Sequence, residues 1–131
     1  ESVKAVATIG APADPGHVLA HMEASRDEIR AKGEAEVSLG GRPFTIKEQF
    51  LEDLESARIE PVVRDLDRAL LILHSPLDEI VGIENAAELY TMARHPKSFV
   101  SLDDADHLLM NEADSHYTAR LLAAWVSRYL S

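Results

Sequence analysis

Hydrophobic positions in this chain fall into short continuous runs, separated by stretches with helical spacing. Residues 69–73 (ALLIL) form an unbroken apolar run, the pattern of a parallel strand buried on both faces. The run stops at His74-Ser75-Pro76, where proline bars a further ladder hydrogen bond. Helix-favouring residues then cover 84–93, with Ile83, Ala86, Ala87 and Tyr90 on one face, and Pro96 closes that segment. Residues 98–102 (SFVSL) read as the next strand, and His107 lies just past its end. This is a β-α-β unit, whose crossover is right-handed in nearly all cases. That handedness sets Asp78 and His107 off the same edge of the sheet, beyond the carboxyl ends of neighbouring strands, where open α/β sheets hold ligands.

The flanking segments extend the pattern. Residues 3–9 (VKAVATI) predict a core strand. Asp14 as N-cap and Pro15 at the first helical position start a helical stretch with Val18, Leu19 and Met22 on its apolar stripe. It runs, with room for a break, to Lys32, and Gly33 suits its C-cap. Two short alternating segments, 34–39 and 42–46, flank Gly40-Gly41, a hairpin signal because both glycines accept positive φ. Thr45 and Glu48 have capping-box spacing for a helix over 46–56. Pro61 starts a further turn through Leu66. After His107 a terminal helix carries Leu121, Leu122, Trp125 and Val126, with Asp114 or Ser115 as its expected cap. The predicted order is β-α-(ββα)-β-α-β-α, an α/β chain of about three parallel strands.

Composition narrows the function classes. A net charge of −10 argues against nucleic acid, which recruits clustered lysine and arginine. Cysteine is absent, which rules out disulfides and thiolate chemistry. No apolar run approaches the roughly 20 residues of a membrane span, and no secretory signal opens the chain. Cytoplasmic location is the default expectation. Glu1-Ser2 leads almost at once into a buried-looking strand without an initiator methionine, as expected of a fragment.

The segments HSPLDEIV and DADHLL, taken together, resemble the acid loop and the histidine loop of the C-terminal half of an α/β-hydrolase. The opening VKAVATIGAPADPGHV and the hairpin VSLGGRPFTIKEQF look more narrowly like the hydrolase half of bacterial proteins in which such a domain is fused to an OsmC-like domain. The resemblance covers essentially all 131 residues. It implies that Asp78 is the triad acid and His107 the general base, in the family's chain order of nucleophile, acid, histidine. The family's nucleophile sits on a G-x-S-x-G elbow, and no G-x-S-x-G occurs in this sequence. By the resemblance it would precede Glu1, as would the oxyanion-hole loop.

Each candidate competes with a plainer role. Glu79, Asp103, Asp104 and Asp106 rival Asp78 as the acid, although charge runs usually form solvated faces. Ser38 in SLGG imitates the tail of an elbow but lies in a hairpin pattern. Ser75 is followed by proline and reads as a turn residue. His17 and His21 share a helix face at i, i+4, but the glutamate of H-E-x-x-H is missing, so no metal site is expected. His74, His95 and His116 have no special context.

The fold class expected is thus α/β: a truncated α/β-hydrolase fold with flanking helices and a β-hairpin/helix, cap-like insertion at 14–66. By the resemblance, that insertion would shape an acyl or alcohol pocket, with Met22, Phe44 and Phe50 as apolar lining. The implied reaction is ester or acyl hydrolysis through a serine acyl-enzyme, with no cofactor. A small-molecule ester would be the substrate once the missing half is supplied. The alternative is a non-catalytic oligomerising or binding module on the same fold. A first strand without its neighbour presents an open edge, so a homo-oligomer through that strand is expected, with no membrane partner. A nucleotide-binding domain is disfavoured because no glycine-rich phosphate loop follows any strand.

Overall fold

Along the chain the computed structural model runs β1 (Ala5–Ile9), α1 (Gly16–Ala20), α2 (Glu23–Lys32), β2 (Glu34–Leu39), β3 (Arg42–Lys47), α3 (Glu48–Ser56), α4 (Ile59–Arg64), β4 (Ala69–His74), α5 (Glu84–Met92), β5 (Lys97–Ser101) and α6 (Glu112–Val126), ending in a 3-10 turn at Ser127–Tyr129. It describes residues 2–20, 22–39 and 41–131, the side chains of His17, Val18 and Leu39 excepted. The chain divides into two compact units, one of Glu1–Ala13 with Glu60–Ser131 and the other Asp14–Ile59.

The first unit is built around β4. All six of its residues are buried, as an uninterrupted apolar run requires of a strand covered on both faces. It lies between β1 and β5 in a three-stranded parallel sheet. Ala5 pairs with Ala69 through to Ile9 with Leu73, and Leu70 pairs with Lys97 through to His74 with Ser101. Leu71 and Leu73 pack with Leu102 and Ala105, and Leu121, Leu122 and Trp125 of α6 close over them. Because strand side chains alternate, Leu70, Ile72 and His74 face the other way. The crossover helix α5 buries Asn85, Ala86 and Leu89.

The second unit has its own small core. Met22, Ile29, Ala35, Val37 and Leu51 cluster there, with Leu19, Ile46 and Leu54 against them. The helical stretch breaks into α1 and α2, and α2 ends on Gly33 at φ 82°, its N–H donating to the Ile29 carbonyl. The antiparallel hairpin β2–β3 follows. Arg26 and Arg30 both reach the Glu55 carboxylate and tie α2 to α3. Hydrogen bonds from Arg30 and then Arg26 hold that carboxyl below the usual glutamate range.

Two helix starts differ from the sequence expectation. Thr45 does not cap α3, because it is still paired with Glu36 in the hairpin ladder, and the residue at the helix start is Lys47. The terminal helix begins earlier than Asp114, since the Asn111 side chain accepts the Ala113 N–H and caps it there. At the first helix Asp14 Oδ1 accepts the Gly16 N–H at 2.8 Å, as a cap should.

Burial of β4 gives a direct stability contrast. Leu73→Ala is expected to cost about 2–5 kcal/mol through lost burial and a residual cavity. Leu77→Ala, at a side chain 61% exposed, is expected to stay within about 0.5 kcal/mol. Urea denaturation followed by circular dichroism checks both.

Candidate active site

The sheet delivers two loops to one edge. Central strand β4 accepts from both neighbours at its end: the Gly10 N–H donates to the Leu73 carbonyl and the Leu102 N–H to the His74 carbonyl, each at 2.9 Å. Pro76 then stops the ladder, and the Asp78 N–H turns back onto the Ser75 carbonyl. Asp78 Oδ1 accepts the N–H groups of Ile80 (2.9 Å) and Val81 (2.8 Å), an Asx turn that fixes the carboxylate plane. This leaves Oδ2 to meet His107 Nδ1 at 2.7 Å.

Asp78 is almost wholly enclosed, its side chain 2% exposed, whereas His107 is 25% exposed. Burial is the largest single influence on the Asp78 carboxyl and pushes its pKa up. The Val81 N–H, His107 and the Ile80 N–H together outweigh it, so the group lies below the ordinary aspartate range. It is therefore ionised at neutral pH. A carboxylate at Nδ1 requires Nδ1–H on the imidazole, which puts the lone pair of the neutral ring on Nε2. The pair can thus take a proton at Nε2 and stabilise the imidazolium that results.

The histidine loop is shaped by its own acids. Asp106 accepts the N–H groups of Leu108 and Met110, and Leu109 adopts φ 51° while packing into the α6 side of the core. Asp103, Asp104, Asp106 and Glu79 are all exposed. Among the candidate acids, the one whose oxygen meets His107 is Asp78.

Three further residues at the site carried no functional signal in the sequence. Gly10, at φ +60°, backs the pair so closely that a Cβ there would lie 3.0 Å from His107 Nδ1 and 3.2 Å from Asp78 Oδ2. His74 is fully buried, and its Nε2 donates to the Val81 carbonyl at 2.7 Å while standing 3.7 Å from Asp78 Oδ2. Asn85 is buried and bridges two loops, accepting the Ala13 N–H at 3.0 Å and donating to the Gly82 carbonyl at 2.9 Å. The one available hint was a histidine closing a wholly apolar run, a place where a polar ring must find an internal partner.

Several other sequence candidates belong to the second unit. Met22 is 1% exposed and belongs to the core of the second unit. Phe44 and Phe50, of the same unit, are 44% and 42% exposed. Ser38 is exposed and pairs with Pro43 in the hairpin. The His17–His21 pair lies outside the described residues. Among the described residues no group of three or more histidine, cysteine, aspartate or glutamate side chains is placed to hold a metal ion, and no helix is long and apolar enough to cross a membrane.

No family model matches the chain. Among solved structures it is similar to the esterase domain of a Rhodothermus marinus protein, with 55% identity, a TM-score of 0.81, and coverage of 98% of this chain and 53% of that one. It is also similar in fold to mouse alpha/beta hydrolase domain-containing protein 10, with 21% identity and a TM-score of 0.70 over 98% of this chain and 54% of that one. The uncharacterized protein YfhR of Salmonella typhi is 26% identical over 68 residues, 52% of this chain and 21% of that protein. The chain thus spans about half the length of these solved structures.

The depressed Asp78 pKa sets a pH dependence. An unfolded aspartate takes up its proton near about pH 4, and the folded one does so at lower pH. The stabilisation is therefore complete above the unfolded value and lost as pH falls through the folded one. Asp78→Asn is expected to flatten the acid limb of stability against pH relative to the unsubstituted chain. Denaturation midpoints across the acid range check this, and superimposable limbs would exclude it.

Proposed function

We start from a partial α/β-hydrolase domain, and we propose that this one supplies the acid and the general base of a serine esterase whose nucleophile lies outside these residues. The observation carrying this reading is the 2.7 Å bond between Asp78 Oδ2 and His107 Nδ1 at the carboxyl edge of a parallel sheet. The 55% identity to a Rhodothermus marinus esterase domain supports it.

In this reading His107 Nε2 removes the proton of a serine hydroxyl as its oxygen attacks the ester carbonyl. Asp78 stays ionised, holds the ring orientation and stabilises the imidazolium. The imidazolium then protonates the departing alcohol, leaving an acyl-enzyme. A water molecule, deprotonated by the same Nε2, then attacks the acyl carbon, and the imidazolium returns that proton to the serine oxygen as the acid product leaves. The sequence contains no G-x-S-x-G, so the serine comes from a completing segment. Support for where that segment joins comes from β1, an outer strand of the sheet with Ile9 and Ala7 exposed. An open, partly apolar strand edge pairs readily with added chain. The same edge supports the pairing of two copies where no completing segment is present. Light scattering at micromolar concentration is expected to report a dimer of the 131-residue chain, and a strict monomer would exclude that pairing.

Catalysis is tested by fusing this chain behind the first half of the Rhodothermus marinus esterase domain and following p-nitrophenyl acetate hydrolysis. The fusion is expected to turn over, with His107→Ala lowering kcat by about 10⁶-fold and Asp78→Asn by about 10⁴-fold. Equal turnover by the His107→Ala fusion would overturn the reading.

A further inference from the structure

Asp78 and His107 are held by loops from different strands, 29 residues apart along the chain. Their 2.7 Å contact therefore needs something that fixes one loop against the other. Ser75, three residues before Asp78, is 3% exposed, and its hydroxyl is fully engaged. Oγ accepts the Leu77 N–H at 3.1 Å inside the acid loop. It also donates across to the Asp103 carbonyl in the histidine loop at 3.1 Å. Its own carbonyl accepts the Asp78 N–H.

Asp103 is arranged to receive this bond. Its backbone sits in the left-handed region at φ 52°, which aspartate enters more readily than most non-glycine residues because its short side chain can bond locally. Its N–H is held at 3.1 Å by Ser101 Oγ, so both the N–H and the C=O of this residue end on serine hydroxyls. The result is a carbonyl aimed at the acid loop. With the backbone bond from Leu102 N–H to the His74 carbonyl, Ser75 makes a second crossing between the loops, beyond the end of the β4–β5 ladder.

We propose that Ser75 is a positioning residue: its hydroxyl locks the acid loop to the histidine loop and so sets the Asp78–His107 distance. The assignment rests on the proposed esterase reading for its functional meaning, and on hydrogen-bond geometry for its structural content. An error of about 1 Å in such a pair can cost about 10²-fold in rate, so the expected loss of kcat in the fused esterase on removing the hydroxyl is about 10–100-fold, with KM unchanged.

The decisive measurement is made on the 131-residue chain itself. The hydrogen-bonded Nδ1–H of His107 is observed by proton NMR in Ser75→Ala, Ser75→Val and Ser75→Thr. Loss or broadening of that signal in the alanine and valine variants, with retention in threonine, is the expected result. Retention in all three overturns the proposal, and so does loss in all three, which would make side-chain size the determinant. Should the alanine and valine variants fail to fold, the Ser75 hydroxyl proton in the unsubstituted chain decides the matter: a slowly exchanging hydroxyl resonance supports the bond across to the Asp103 carbonyl, and a hydroxyl exchanging too fast to be observed overturns it. Turnover of the fusion with Ser75 intact and His107→Ala tests the esterase reading separately, so either idea can fail alone.

Discussion

Everything at the carboxyl edge depends on the enclosure of β4 between two parallel neighbours. A strand buried on both faces cannot slip register without moving its whole side-chain set, because a one-residue shift exchanges the two faces. Leu71 and Leu73 are committed to the α6 side, so the positions of Gly10, Ser75 and Leu102 around the strand end follow from that packing. The histidine and acid loops then start from fixed points. What remains to be settled beyond the ladder is settled by side chains.

That second level of order is polar and buried. An enclosed carboxylate is unfavourable unless its oxygens are matched, and those of Asp78 are: two N–H groups hold one oxygen and an imidazole the other. His74 and Asn85 extend the same logic outward, one taking the Val81 carbonyl and the other the Gly82 carbonyl. The acid loop is therefore held along its length by internal partners, and His107 is the member of the set that retains solvent access. Such an arrangement keeps the acid ionised and leaves the imidazole paired with it partly exposed.

Much of this was legible in the residues alone. The apolar run of β4, the Pro76 stop, the hairpin at the glycine pair and the helical spacing of α5 each announced an element through local physics, and the parallel three-stranded sheet with its flanking helices is what they form. Helix starts were less legible, because Thr45 had two possible roles and strand pairing took it. Gly10 was unreadable for another reason: its closeness to His107 and Asp78 joins positions far apart in sequence, and a glycine after a strand looks like any turn. His74 was half-legible: a polar ring ending an apolar run needs an internal partner, but nothing local names the carbonyl it bonds seven residues on.

Trp125, the single tryptophan of the chain, has a further use. Its indole packs on the cluster of Leu71, Leu73, Leu102 and Ala105, of which the last two belong to the segment leading into His107, and its ring centroid lies 5.0 Å from that of Tyr129. With no second indole to confuse the signal, intrinsic fluorescence in this chain is a native optical gauge of one place: the seam where the terminal helix presses on the root of the histidine loop.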